Sequence, residues 1–158
     1  MRSEFVDELT KMMRSDENIY VLLGDLGFGI FNNLRLEFPE RCINVGSAEQ
    51  LMIGIGCGMA MEGKRVVCYS ITPFLIYRPF EFIRNYVNRE VLTLKLVGSG
   101  RGQDYADAGF SHFSDEVESV LQCLTEIKQY YPKSGEELRD IAQKFIYENG
   151  PGFLSLKR

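Results

Sequence analysis

Apolar positions switch between helical and extended spacing along the whole chain. Phe5, Leu9, Met12 and Met13 stand at i, i+4, i+7 and i+8, the stripe of an amphipathic helix. Ile19–Leu23 is a short unbroken apolar run that enters Gly24-Asp25, as a buried strand meeting a turn does. Asn32-Asn33 lies in a turn-rich stretch, and a short segment ends at Phe38-Pro39. Residues 42–45 and 65–70 read as further strands. Between them a long apolar run opens at Ser47 and closes at Gly63. Residues 78–90 have helical spacing, and residues 91–97 alternate, with Leu92, Leu94 and Leu96 on one face of a fourth strand.

A loop rich in Gly, Ala and Asp (residues 98–111) precedes a helical stripe of Val117, Val120, Leu121 and Leu124. Residues 127–131 are a candidate strand before Pro132. Ser134 and Glu137 have capping-box spacing ahead of the clearest helix, marked by Leu138, Ile141, Ala142, Phe145 and Ile146. Asn149-Gly150-Pro151 stops that helix, and residues 153–156 form a closing strand. Strands separated by helices predict an α/β fold, a parallel sheet flanked by helices on both faces.

The chain has 158 residues, the size of a single domain. With 45% hydrophobic and 25% charged residues it matches a globular protein and excludes a disordered or collagen-like one. A net charge of −4 leaves no electrostatic footprint for nucleic acid. No apolar run approaches the roughly 20 residues of a membrane span. Met1-Arg2-Ser3-Glu4 opens no signal peptide, so a cytoplasmic location is expected. Cys42, Cys57, Cys68 and Cys123 lack CxxC spacing, and the single histidine, His112, cannot complete a Cys/His zinc set. No metal ligands are therefore expected, and the cysteines read mainly as small buried hydrophobes in a reducing compartment.

The run from Gly46 to Met61 is the least ordinary segment. As a helix it is apolar nearly all round, and Gly54, Gly56 and Gly58 cost about 1 kcal/mol each against alanine. Another backbone coming close, from this chain or a partner, accounts for such a run. Glu49 heads it, where a carboxyl group could share a proton with a ring nitrogen. Equally, Ser47 and Gln50 could cap the helix while Glu49 complements its dipole.

Phe74, Tyr77 and Phe80 recur every three residues after the third strand, as core or as the wall of a pocket for a flat heterocycle. Gly24 to Gly29 lacks both GxGxxG and GxxxxGK[ST], so Asp25 is a loop ligand or a turn residue. His112 precedes a helix, as a proton donor or a surface residue, and Arg158 alone would count as a solvated tail.

Phe38-Pro39-Glu40-Arg41, Asn44 to Gln50, Gly54-Ile55, Gly58-Met59-Ala60 and the stretch from Phe74 to Arg84 together resemble the transketolase-like pyrimidine-binding domain. The likeness extends from Phe5 to Gly150-Pro151-Gly152-Phe153. It implies that Glu49 hydrogen-bonds the aminopyrimidine of thiamine diphosphate and drives the tautomer that takes up the thiazolium proton. Phe74 is then expected to stack on the pyrimidine, Tyr77 and Phe80 to line its pocket, and Asp25 to lie near the cofactor. By the same resemblance His112 contacts the substrate hydroxyl or carbonyl, and Arg158 binds the phosphate of a sugar phosphate.

Two positions depart from the family pattern. Ala108 stands where an aspartate is usual, with Asp107 beside it as the candidate substrate ligand, and Ser99-Gly100 replaces a histidine. The Gly-Asp-Gly motif and following asparagines that hold diphosphate and Mg2+ are missing too. Gly24-Asp25-Leu26 with Asn32-Asn33 is too compact to replace them. A diphosphate-binding partner subunit, with the cofactor at the interface of a heterotetramer, is the expectation that follows.

The resemblance thus implies the pyrimidine-binding part of a split enzyme transferring a ketol unit between sugars. Alternatives are a 1-deoxyxylulose-5-phosphate synthase-like or 2-oxoacid-decarboxylating subunit, and a non-catalytic regulatory partner.

Overall fold

The computed structural model describes residues 1–158. Its six strands are β1 (Ile19–Leu23), β2 (Cys42–Asn44), β3 (Arg65–Ile71), β4 (Leu94–Ser99), β5 (Lys128–Tyr130) and β6 (Gly152–Leu156). They form one sheet in the order β2-β1-β3-β4-β6-β5, with every pairing parallel. Helices α1 (Arg2–Ser15), α2 (Asn32–Glu37), α3 (Glu49–Met61), α4 (Thr72–Tyr77), α5 (Phe80–Phe82), α6 (Val117–Leu121) and α7 (Gly135–Tyr147) complete the fold.

Alternation along the strands divides the core in two. Val67 and Tyr69 of β3 join Phe5, Leu9 and Met13 of α1 and Leu138 and Phe145 of α7. Val66 and Cys68 face the other way, onto Met52, Ile53 and Cys57 of α3 and Leu75 and Ile76 of α4. The predicted parallel sheet covered on both faces is thus the observed one. Its central strands read as continuous apolar runs because neither face meets water.

Local departures have local causes. The strand expected at 91–97 begins at Leu94 and runs on to Ser99, all six residues buried. Val91 is instead held at φ 52° in the turn before it, a conformation costly to a β-branched residue. The helical spacing of 78–90 becomes the single turn of α5 followed by a π-helical stretch, Ile83–Asn88. Apolar spacing does not distinguish i+4 from i+5 bonding. Helix α4, unforeseen in the sequence, starts with Pro73 near its N-terminus, and Thr72 Oγ1 donates to the carbonyls of Ser99 and Gly100. Those bonds fix α4 to the end of β4. Ser134 Oγ accepts from the Glu137 amide at 3.2 Å, whereas the Glu137 carboxylate accepts from Lys133 N, one residue earlier than a capping box requires.

Cys42, Cys57 and Cys68 are buried free thiols. Burial pushes Cys42 up to about 12 and Cys57 up to about 11, and Cys68 higher still. Above pH 9 the unfolded chain releases these protons and the folded chain keeps them, so stability is lost as pH rises. Each thiol contributes a slope of about 1.4 kcal/mol per pH unit. Lys95 opposes this, since burial lowers it to about 8 while its ammonium donates to the carbonyls of Glu148 and Gly150. Its contribution rises with pH from about 8 to the unfolded value near 10.5. Urea unfolding of the wild type should therefore show a net loss above pH 9. Cys57→Ala should be less steep between pH 9 and 11 by about 1.4 kcal/mol per unit, and equal slopes in the two proteins would refute this assignment.

Candidate active site

From β1 the chain moves outward to β2, then crosses back through α3 to β3 on the other side of β1. The carboxyl ends of β1 and β3 therefore flank the point where strand order reverses, the place where ligands bind in open parallel sheets. Gly24 follows β1, Ser70 lies near the end of β3, and Glu49 opens α3.

Glu49 does not serve as a helix cap. The N-cap is Ala48, which has no side-chain cap bond, so the alternative of a Ser47–Gln50 box is not the one formed. The Glu49 side chain turns inward instead and is 1% exposed. Its Oε1 accepts from Ser70 Oγ at 3.0 Å, and its Oε2 accepts from Arg78 Nη1 at 2.8 Å. Space for this arrangement depends on Gly24, where a Cβ would lie 2.9 Å from Ser70 Oγ and 3.4 Å from Glu49 Oε1.

Arg78 leaves the carboxyl end of α4, one helical turn beyond Phe74. Its guanidinium carbon lies 3.7 Å from the Phe74 ring centroid, within cation–π range. The guanidinium side chain is 47% exposed, so the ion pair joins a dry carboxylate to a half-wet cation. Removing the cation leaves a buried acceptor without its partner, at a cost of about 1–3 kcal/mol.

His112 packs edge-on against Phe74 with centroids 4.8 Å apart, and its Nδ1 is 3.1 Å from Ser111 Oγ. Expected at an open surface, it is half-buried because the loop after β4 folds back over α4. Tyr105 extends the arc, 6.4 Å from His112 between ring centroids. Its hydroxyl is 2.7 Å from Ser99 Oγ and accepts from Arg2 Nη1 at 3.2 Å. The Arg158 guanidinium lies 5.1 Å from the Tyr105 centroid, and Arg158 N donates to Asp104 Oδ2. Glu49, Arg78, Phe74, His112, Tyr105 and Arg158 thus follow one another across the strand ends.

The remaining candidates lie apart from this arc. Asp25, at φ 54°, exchanges hydrogen bonds with Asn44: its amide donates at 3.0 Å and its Oδ1 accepts at 2.9 Å. That pair ties the ends of β1 and β2 together. Tyr77 is exposed, and burial of part of its ring, with Glu116 and Asp115 nearby, pushes its phenol up to about 12. Phe80 packs against the core beneath α3. Asp107 is exposed in a 3-10 turn, Ala106–Ala108.

Arg78, Ser70 and Tyr105 escaped the residue-by-residue reading of the sequence. A cation four residues after an aromatic on a helix was the available signal for Arg78. Ser70 and Tyr105 enter through strand order and loop return, which leave no mark in local spacing.

The switch point of this parallel α/β domain thus gathers a buried carboxylate, an aromatic ring and a histidine. The chain matches the family model described as transketolase, pyrimidine binding domain, over residues 1–158, and it belongs to that family. It is 30% identical over 159 residues to a putative transketolase C-terminal section of Methanocaldococcus jannaschii, covering 100% of this chain and 50% of that protein. A 6-deoxy-6-sulfo-D-fructose transketolase subunit of a Clostridium species is also 30% identical, with 100% and 49% covered. Among solved structures, one titled split gene transketolase, inactive beta4 tetramer, superposes with a TM-score of 0.86 at 26% identity, covering 99% of this chain and 51% of that one. The chain spans about half the length of these relatives.

Proposed function

We propose that this chain is the pyrimidine-binding subunit of a split transketolase that transfers a ketol unit between sugar phosphates. The observation that carries the reading is the Glu49 carboxylate, buried at the strand-order switch point and linked through Arg78 to the Phe74 ring. The site fits an aminopyrimidine: a buried carboxyl group at the closed end, the Phe74 ring reached through Arg78, and a glycine whose Cβ would intrude. Thiamine diphosphate, when bound, supplies the carbanion chemistry of ketol transfer. Glu49 holds a proton at the ring nitrogen, Ser70 fixes the orientation of the carboxylate, and Phe74 orients the ring plane. In this reading His112, packed on Phe74, holds the substrate oxygen, and Arg158, over Tyr105, binds the substrate phosphate.

Mg2+ and the diphosphate are assigned in this reading to a Gly-Asp-Gly subunit, in a heterotetramer with the cofactor between chains. The relatives named as transketolase subunits support this division. Leu51, Ile55 and Met61 of α3 give that subunit an exposed apolar face, and nothing lies within 4 Å of a Cβ built at Gly58. A cytoplasmic setting suits the three buried free thiols, and no helix is long and apolar enough to cross a membrane.

Purification of the chain from its native cells tests the assignment. A companion carrying Gly-Asp-Gly, and ketol transfer by the pair but by neither alone, is the expected result. A chain that emerges alone and binds no thiamine diphosphate with Mg2+ would refute it.

A further inference from the structure

The place beside Glu49 and Phe74 is already taken by a side chain. The Arg78 guanidinium is flat, donates to Glu49 Oε2 at 2.8 Å, and lies 3.7 Å from the Phe74 centroid. A flat aminopyrimidine that shared a proton between its ring nitrogen and Glu49 while stacking on Phe74 would need the same two contacts. We propose that Arg78 is an internal stand-in for the cofactor's pyrimidine, a latch that keeps Glu49 paired and Phe74 covered until a ring displaces it. This rests on the assignment of Glu49 and Phe74 as the pyrimidine seat.

Three features make the contact a latch rather than a fixed structural pair. The burial is one-sided, with Glu49 1% and Arg78 47% exposed, so the guanidinium can move into water while the carboxylate cannot. Glu49 keeps a second donor, Ser70, and would retain its orientation after Arg78 leaves. The only hydrogen bond of the Arg78 side chain is the one to Glu49. By contrast, Arg101 is held by three acceptors, Ser155 Oγ, Ser155 O and Pro132 O. A guanidinium with one anchor exchanges partners more readily than one with three.

The consequence is competition. Part of the intrinsic affinity of the seat is offset by the Arg78 contact it must break, so removing the side chain tightens ring binding.

The aminopyrimidine half of thiamine, 4-amino-5-hydroxymethyl-2-methylpyrimidine, is the probe, titrated calorimetrically into the full chain. Arg78→Ala should bind it about tenfold more tightly than the wild type, and Glu49→Gln in that background should lose the gain. Arg78→Lys keeps the charge beside Glu49 without the flat stack and should fall between the two. It serves as the informative variant if the alanine protein is too unstable to assay. In the wild type, the Arg78 Nε–H resonance should lose its Phe74 ring-current shift as probe is added.

Glu49-dependent binding that Arg78→Ala leaves unchanged or weakens would overturn the latch and leave the pyrimidine seat standing. Absence of binding to all forms would overturn both.

Discussion

Glu49→Gln is expected to lower turnover of the assembled enzyme by about 100- to 10,000-fold, the range that a positioned acid–base group contributes. The amide keeps the shape of the carboxyl and one acceptor oxygen, so either Ser70 or Arg78 still finds a partner. What it loses is the capacity to hold a proton at a ring nitrogen. The effect should fall on kcat far more than on KM for the sugar substrate, because the side chain lies at the closed end of the crevice, away from Arg158. Folding should survive. Arg78 is half-exposed and regains water when its charge partner goes, so the cost is about 1 kcal/mol rather than that of a wholly buried pair. Circular dichroism and thermal melting check this second part. Unchanged turnover in a folded, assembled variant would remove Glu49 from the chemistry.

Much of this arrangement was legible before any coordinates. The apolar runs at Ile19–Leu23 and 65–70 specified central strands, and the stripe from Leu138 to Ile146 specified α7, because burial on defined faces leaves a period in the sequence. Glu49 could be singled out as a carboxylate heading an apolar helix, but spacing alone left open whether it merely complemented the dipole of a helix capped by Ser47 and Gln50 or turned inward. The absence of a side-chain cap at Ala48 and the hydrogen bond from Ser70 decide that point structurally. Position along the chain could not show that Ser70 and Glu49, 21 residues apart, meet across a strand crossover.

The three-residue recurrence of Phe74, Tyr77 and Phe80 suggested one shared wall. Only Phe74 contacts Arg78 and His112, because α4 ends at Tyr77 and the break before α5 carries Phe80 onto the core. Periodicity presumes an unbroken helix, and Pro79 interrupts this one.

Arg158→Ala is expected to raise KM for phosphorylated substrates by about 10- to 100-fold and to leave KM for unphosphorylated analogues nearly unchanged. One charge-assisted hydrogen bond to a phosphate is worth about 1.5–3 kcal/mol, and each 1.4 kcal/mol is tenfold. The guanidinium is free for such a contact: it lies over Tyr105 and forms no ion pair with any carboxylate of the chain. The substitution should also be structurally mild. The bond from Arg158 N to Asp104 belongs to the backbone and persists in alanine, so the loop after β4 that carries Tyr105 and His112 keeps its tether. Raising the ionic strength should weaken phosphorylated-substrate binding more in the wild type than in the variant, since an exposed charge is the one that salt screens. A KM increase of equal size for both substrate classes would mean that Arg158 supports the loop and does not touch the phosphate.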